Sequence, residues 1–350
     1  MLLNTESWPL MGLIGALLGG ALVILWAGTR VTRLADQLAD MTGIGEAMFG
    51  AVMLGATTSL PGIVTSVTAA LTDHPAMAAS NAMGGIAVQT AFLAVADMTY
   101  RKVNLEHAAA SLQNLTQGAL LTVLLTIPLV AQSTQAVTWW GVHPASPILL
   151  LAYIAGLRLV AHTREAPGWF PQHSPETVED EPDPDNQDQT SLMSLILRFV
   201  VLGLLVGAAG YVVARTGIAL SERALLSETA VGMLITAVVT SLPELVTSVA
   251  AVRQGALTLA VGGIIGGNVF DILFLAFADV AYRDGSLYHA MGDQQVFTIA
   301  LTQLLTGILL LGLLRREKTG VANIGFESML VLVLYLSAVV VVALGWAGSG

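Results

Sequence analysis

Ten apolar stretches dominate this 350-residue chain: 8–28, 44–71, 76–97, 106–130, 146–162, 193–215, 227–252, 256–280, 294–314 and 325–346. Each is near the length of about 20 residues that carries an α-helix across the hydrocarbon core of a bilayer. Backbone N–H and C=O groups find no water in lipid, so a spanning segment must satisfy them as a helix or a closed barrel. The pattern predicts an all-α membrane protein with ten transmembrane helices and the lipid bilayer as its first partner. Composition agrees: 55% of residues are apolar and 11% charged, where soluble domains carry about 25% charged residues. The absence of cysteine excludes disulfides, thiolate chemistry and Cys-ligated metal centres. The first base is Arg30, so the first stretch is not expected to be a cleaved signal peptide.

Basic residues in short loops orient such a bundle. With both termini outside, Arg30, Arg33, Arg101, Lys102, Arg158, Arg164, Arg198, Arg253, Arg315, Arg316 and Lys318 fall on the cytoplasmic side, and only Arg215, Arg223 and Arg283 outside. Residues 163–191 interrupt the pattern with five prolines and eight of the chain's 24 acidic residues, against a single base. That composition reads as a disordered cytoplasmic linker. Asp183, Asp185 and Asp188 begin like a calcium-binding loop, but the turn glycine and closing Glu of an EF-hand are missing. The formal charge of −10 belongs mostly to this linker, and no nucleic-acid partner is expected.

Sliding the sequence along itself until Thr58 meets Thr240 aligns 46–101 with 228–283 without a gap. TTSLPGIVTSV meets VTSLPELVTSV, and AFLAVADMTYR meets LFLAFADVAYR. Self-similarity at a fixed offset marks a duplicated unit. The chain divides into a first five-helix repeat (1–162), the linker (163–191) and a second repeat (192–350), with 46–101 and 228–283 as the repeated cores. Five spans per unit is an odd number, so the second copy crosses the membrane in the opposite sense. Inverted repeats of this kind recur in secondary transporters, which hold substrate near the midplane on broken helices where the copies meet.

The repeated helices carry oxygen ligands. Thr240, Glu244, Thr247 and Ser248 form one stripe at helical spacing. Pro243 lacks an N–H and frees the Val239 carbonyl, as Pro61 frees that of Thr57. A bare carboxylate at that depth needs a cation, a proton or a partner, and hard cations favour such mixed carboxylate, hydroxyl and carbonyl oxygens. Asp271 stands on the next span with Gly263, Gly267 and Asn268 before it, and the matching face of the third span reads Asn81, Gly85 and Gln89. The glycines are expected to let two backbones close around the acid. Gly15 and Gly19 are read as a packing face, Asp97 and Asp279 as structural anchors closing their spans, and Glu46 and Glu228 as partners of a helix N-terminus.

TSLPE–VTSV followed by GG–GGNVFDILF resembles the two alpha-repeats of the calcium/cation antiporter superfamily, which includes the sodium/calcium exchangers. The resemblance implies ten helices and exchange of Ca²⁺ against Na⁺ or H⁺ by alternating access, with ions held between the second, third, seventh and eighth helices. It places Glu244 at the family's essential Glu and Asp271 at the acid of its GSNxxD motif, with Thr240, Ser241 and Asn268 beside them. In the first copy Thr58, Ser59 and Asn81 match, whereas Gly62 stands where the family has its other essential Glu, and Gln89 replaces an acid or Asn. The implied ion ligands are Glu244, Asp271, Thr58, Ser59, Thr240, Ser241, Asn81, Gln89 and Asn268, with the carbonyls of Thr57 and Val239. Gly62 is expected to leave room for a restored Glu beside the Pro61 break.

The leading reading is a secondary antiporter moving Ca²⁺ against H⁺ or Na⁺. A monovalent cation (Na⁺ or K⁺)/proton antiporter and a transport-inactive membrane scaffold or regulator stand as alternatives. No cofactor is expected, the ions being cargo. Enzyme chemistry is not expected, because there is no phosphate loop and all six histidines fall near span ends or in loops. The short linker and the lack of a large regulatory domain look prokaryotic, which implies a plasma (inner) membrane. The orientation has a direct test. A cysteine replacing Ser174 should react only with reagent in the cytoplasm, and one replacing Ser349 only with reagent outside; the opposite labelling inverts the topology.

Overall fold

A computed structural model describes residues 4–5, 7–42, 56–100, 103–165, 191–224, 226–318, 320 and 324–344. Most of the linker, the first half of the predicted span 44–71, and Glu46, Arg101, Lys102, Ser174 and Ser349 lie outside them. The described residues are helical, with no β-strand among them and one isolated bridge between Trp139 and Val142. In chain order the elements are α1 (Leu10–Thr42), α2 (Leu60–Leu71), α3 (Pro75–Asp97), the one-turn α4 (Leu105–Ala108), α5 (Leu112–Gln132) and α6 (Ala145–Glu165). Then follow α7 (Leu192–Ala224), α8 (Glu228–Thr240), α9 (Leu242–Gln254), α10 (Leu257–Asp271), α11 (Leu273–Ala281), the one-turn α12 (Leu287–Ala290), α13 (Asp293–Arg315) and α14 (Phe326–Ala343). Among the described residues eight helices are long and apolar enough to cross a membrane, α10 and α11 counting as one, and the bent pair α8–α9 makes a ninth.

Several boundaries differ from the sequence reading. α1 and α7 each run for 33 residues, about 50 Å at 1.5 Å per residue, far longer than the apolar stretches 8–28 and 193–215. Arg215, assigned above to an outside loop, is therefore inside α7 and buried. The span expected from 106 begins at Leu112, and Glu106 sits on α4 ahead of it. Gly15 and Gly19 pack against nothing: a Cβ built on either has no heavy atom within 4 Å. Two small residues one turn apart permit a close crossing, but the crossing of α1 with α7 uses Gly20, whose Cβ position is 3.0 Å from Val213.

The displacement that sets Thr58 on Thr240 extends well past the aligned segments. It carries the start of α1 onto that of α7, α2 onto α9, α3 onto α10 and α4 onto α12, and it pairs α5 with α13 and α6 with α14 to within one position. Contacts repeat as well, most of them reaching from one half of the chain into the other. Gly28 on α1 lies against Pro243, its Cβ position 2.7 Å from Cγ, while Gly210 on α7 lies against Pro61, its Cβ position 2.7 Å from the carbonyl oxygen. Only glycine lets a backbone come so near a proline break. Asp97 accepts the Leu105 N–H (2.8 Å) and the Gly325 N–H (3.1 Å), and Asp279 accepts the Leu287 N–H (2.9 Å) and the His143 N–H (2.8 Å). A ring nitrogen of His107 meets the Arg316 carbonyl at 2.8 Å, and one of His289 the Thr134 carbonyl at 2.9 Å.

Asp97 and Asp279 therefore act as crossed latches. Each is fully buried at or near the end of its helix and holds the approach to the last helix of the opposite half. Glu228 likewise supports a helix start, accepting the Met77 N–H in the first turn of α3 at 3.2 Å and pairing with His74 at 2.8 Å. Replacing Asp97 with Ala strands two backbone donors, at about 1–3 kcal/mol each. Asp279→Ala also removes the bond that the Ser146 hydroxyl donates to Asp279 at 2.7 Å, leaving that hydroxyl only Tyr288 at 3.0 Å. Both variants should lower the thermal unfolding midpoint in detergent, Asp279→Ala by more. An unchanged midpoint in both rules out the latch.

Candidate functional site

The proline breaks and the two small-residue helices meet at the centre of the bundle. α8 and α9 join at a 48° bend around Ser241, between Thr240 and Leu242. Pro243 cannot donate to Val239, and the Ser241 N–H caps the end of α8 on the Ala237 and Val239 carbonyls instead. The first-half counterpart is the turn at Ser59 before α2, with Thr57 and Thr58 buried ahead of it. α3 and α10 pass beside these breaks, and nearly every residue of α3 is buried, polar ones included. That is the condition under which polar side chains must find partners inside the protein.

Asp271, 1% exposed at the end of α10, is the hub. One carboxylate oxygen accepts the Ser59 hydroxyl, and the other accepts Gln89 Nε2 at 2.7 Å. The same Gln89 amide reaches Ser241 Oγ at 3.2 Å, so one side chain ties α3 both to α10 and to the break before α9. Glu244, 6% exposed on the first turn of α9, is hydrogen-bonded to Thr58 and lies close enough to Asp271 for their charges to interact. Asn268 donates to Thr90 Oγ1 at 3.1 Å. Three buried acceptor oxygens at this locus have no hydrogen-bond partner: Glu244 Oε2, Gln89 Oε1 and Asn268 Oδ1.

Two carboxylates, two amides and the hydroxyls of Thr58, Ser59 and Ser241 thus converge from five elements and connections. The other expected ligands are placed differently. Asn81 is engaged on every side, donating to the Gly62 carbonyl (3.2 Å) and Ser66 (2.9 Å) and accepting from Thr236 (2.7 Å). Thr240 bonds back to the Ala237 carbonyl of its own helix at 3.2 Å. A Cβ built on Gly263 meets nothing within 4 Å; the tight approach of α10 is at Gly262, whose Cβ position is 2.8 Å from Asn114 Oδ1, while the Cβ positions of Gly266 and Gly267 stand 3.6 Å from Gln117 and from the free Gln89 Oε1. Among the described residues no three His, Asp or Glu side chains converge as a metal centre, so any cation here relies on amide and hydroxyl oxygens for most of its shell.

Gly62, the internal counterpart of Glu244, leaves no room. A Cβ there would lie 2.6 Å from Phe274 Cε2 and 3.1 Å from Cζ, so a ring from α11 occupies the space expected for a restored acid. Phe274 was not legible as a site residue, because only the fold sets it against Gly62. Tyr153 on α6 was likewise missed; it is buried, stacks edge-on against Phe270 with ring centroids 5.9 Å apart, and feels the Asp271 charge.

Comparison with known proteins matches this architecture. The family described as sodium/calcium exchanger protein matches residues 12–160 and 193–344. CaxA of Alkalimonas amylolytica, which carries the name of an antiporter, is 28% identical over 320 residues, covering 85% of this chain and 90% of its own. A membrane protein of Methanocaldococcus jannaschii is 24% identical over 333 residues, 95% of this chain and 98% of its own. Among solved structures, the sodium-calcium exchanger NCX_Mj soaked with Na⁺ and Sr²⁺ superposes with a TM-score of 0.61 at 18% identity, covering 95% of this chain and 99% of the other. The H⁺/Ca²⁺ exchanger CAX superposes with a TM-score of 0.65 at 15% identity, covering 94% and 82%. The chain is an integral membrane protein of the sodium/calcium exchanger family.

Proposed function

We propose that the chain is a secondary active antiporter that exchanges Ca²⁺ against H⁺ or Na⁺ by alternating access, with two inverted five-helix repeats meeting at Glu244 and Asp271. The observation that carries this reading is the set of three unpartnered buried oxygens, on Glu244, Gln89 and Asn268, around an acid already held by Ser59 and Gln89. Unpaired buried acceptors are costly, and a hard cation supplies what they lack. Transport of Na⁺, Ca²⁺ and H⁺ by the proteins named in the structural matches supports the choice of ions. Helix starts and latches that repeat at one offset support the two-repeat division, and the 48° bend supports a helix broken at the midplane.

Charge restricts the exchange. With Glu244 and Asp271 as its acids, the site carries at most −2, which one Ca²⁺, two Na⁺ or two protons neutralise. A net charge left in a low-dielectric cavity is strongly disfavoured, so the cycle is electroneutral. The monovalent cation/proton alternative is favoured by one feature, the Phe274 ring standing where a third carboxylate would add charge. A cycle of one Na⁺ or K⁺ per proton would also be neutral.

The acids are tested by isosteric replacement in proteoliposomes. Glu244→Gln or Asp271→Asn should cut cation exchange at least tenfold while the protein still purifies as a folded species, because nothing else in the site supplies the lost charge. Near-normal exchange by either variant removes that residue from the site. Gly62→Glu alone should reduce the folded yield through its clash with Phe274, and adding Phe274→Ala should restore it. A fully folded Gly62→Glu single variant contradicts the packing.

A further inference from the structure

The two latches are not equivalent. At the Asp279 end, the fully buried Tyr288 on α12 shares Ser146 with Asp279, Ser146 standing 3.0 Å from the Tyr288 oxygen and 2.7 Å from the acid. Under the displacement that relates the two halves, Tyr288 becomes Glu106, Ser146 becomes Ser328 and Ala145 becomes Glu327. One end of the bundle thus carries an aromatic and an alanine where the other buries two further acids beside Asp97. The basic-residue count places the acidic end in the cytoplasm.

Glu106 and Glu327 are 2% and 5% exposed. Both side chains lie against Gly312 of α13, whose Cβ position is 2.9 Å from Glu327 Cβ and 3.0 Å from Glu106 Cγ. Each has one oxygen satisfied. Glu106 Oε1 accepts the Ser328 hydroxyl, and Glu327 Oε1 accepts Arg315 Nη1 at 3.2 Å. The other oxygen of each, Oε2, is buried without a hydrogen-bond partner. The acids do not converge as metal ligands. A proton fits instead: bound to Glu106 Oε2, it removes a buried negative charge and turns an orphan acceptor into a donor.

We propose that Glu106 and Glu327 form a proton-binding site, separate from the Glu244–Asp271 centre, that fastens the start of α14 to α4 when the proton is bound. The ionisable groups around it are Asp97 at the end of α3, His107 on α4, Arg315, Arg316, Glu317 and Lys318 at the end of α13, and Glu327 itself on α14. Neutral Asn114 and Thr258 face α4 from α5 and α10. Arg315 is the cation in contact with Glu327, and it also reaches Glu317 at 3.4 Å. Burial first, then the Asp97 and Glu327 charges, push the Glu106 carboxyl up to about 7, against the pull of the Ser328 hydroxyl. The folded protein therefore holds a proton that the unfolded chain releases above the ordinary glutamate value of 4.5. The fastening is complete below that value and is lost as pH rises through about 7.

Infrared spectra of the full-length protein in nanodiscs between pH 5 and pH 9 read this site without any transport step, so the outcome is independent of the central-site reading. Wild type should lose a protonated-carboxyl band with a midpoint near neutrality, and Glu106→Gln, which keeps the Ser328 contact, should lack that component while bands from Glu244 and Asp271 cancel in the comparison. Glu327→Gln removes a neighbouring negative charge, so the Glu106 midpoint should move to lower pH. Identical titrations in wild type and Glu106→Gln overturn the proposal. Should Glu106→Gln fail to accumulate, Glu327→Gln decides alone: an acid shift supports the coupled pair and an unmoved midpoint refutes it.

Discussion

Lipid offers no hydrogen bonds, and this chain meets that constraint in part by satisfying key buried polar groups of each half with groups from the other. Asp271 of the second half is held by Ser59 and Gln89 of the first. Asp97 and Asp279 each hold the approach to the opposite half's last helix. Pro61 and Pro243, which interrupt their own helices, are each covered by a glycine on the long helix of the other half. Each of these crossings ties the two halves together at a buried polar group or a helix break.

Against this repeated frame, the places where the halves differ carry the functional information. Glu244 faces the centre where its counterpart is Gly62, and Phe274 has taken the vacated volume. Gln89 stands opposite Asp271, so an amide that can donate and accept replaces a second acid at that level. The site is consequently asymmetric, with both carboxylates on the second-half helices and mostly neutral oxygens from the first. A similar asymmetry separates Glu106 and Glu327 from Tyr288 and Ala145 at the two latches. Symmetry supplies the scaffold, and its local failures set the chemistry at each end and in the middle.

The sequence made the membrane class and most spans legible, and it singled out the repeated segments and the acids that the fold buries together, because those depend on local composition, periodicity and self-similarity. Glu244 and Asp271 stood out because an acid within an apolar span has few structural uses. Contacts made only by folding were not legible. The space beside Gly62 was expected to be open, and the Phe274 ring from the other half of the chain fills it. Gly15 and Gly19 had packing spacing but no partner, whereas the effective glycines, Gly28 and Gly210, belonged to no motif. The helical extent of α1 and α7 was underestimated because both continue through charged residues once apolarity ends. A comparison of the whole chain at the repeat offset, rather than of its identical segments alone, would have paired Gly28 with Gly210 and exposed Glu106 against Tyr288.

The central claim is that two carboxylates at the crossing of the halves hold an exchangeable cation whose charge they balance. Uptake of Ca²⁺ into proteoliposomes, driven by an outward proton or sodium gradient with the membrane potential clamped at two values, tests it most directly. Uptake is expected under at least one of these gradients, at the same rate at both potentials. No Ca²⁺ uptake under either gradient, or uptake set by the potential and indifferent to both gradients, would contradict it.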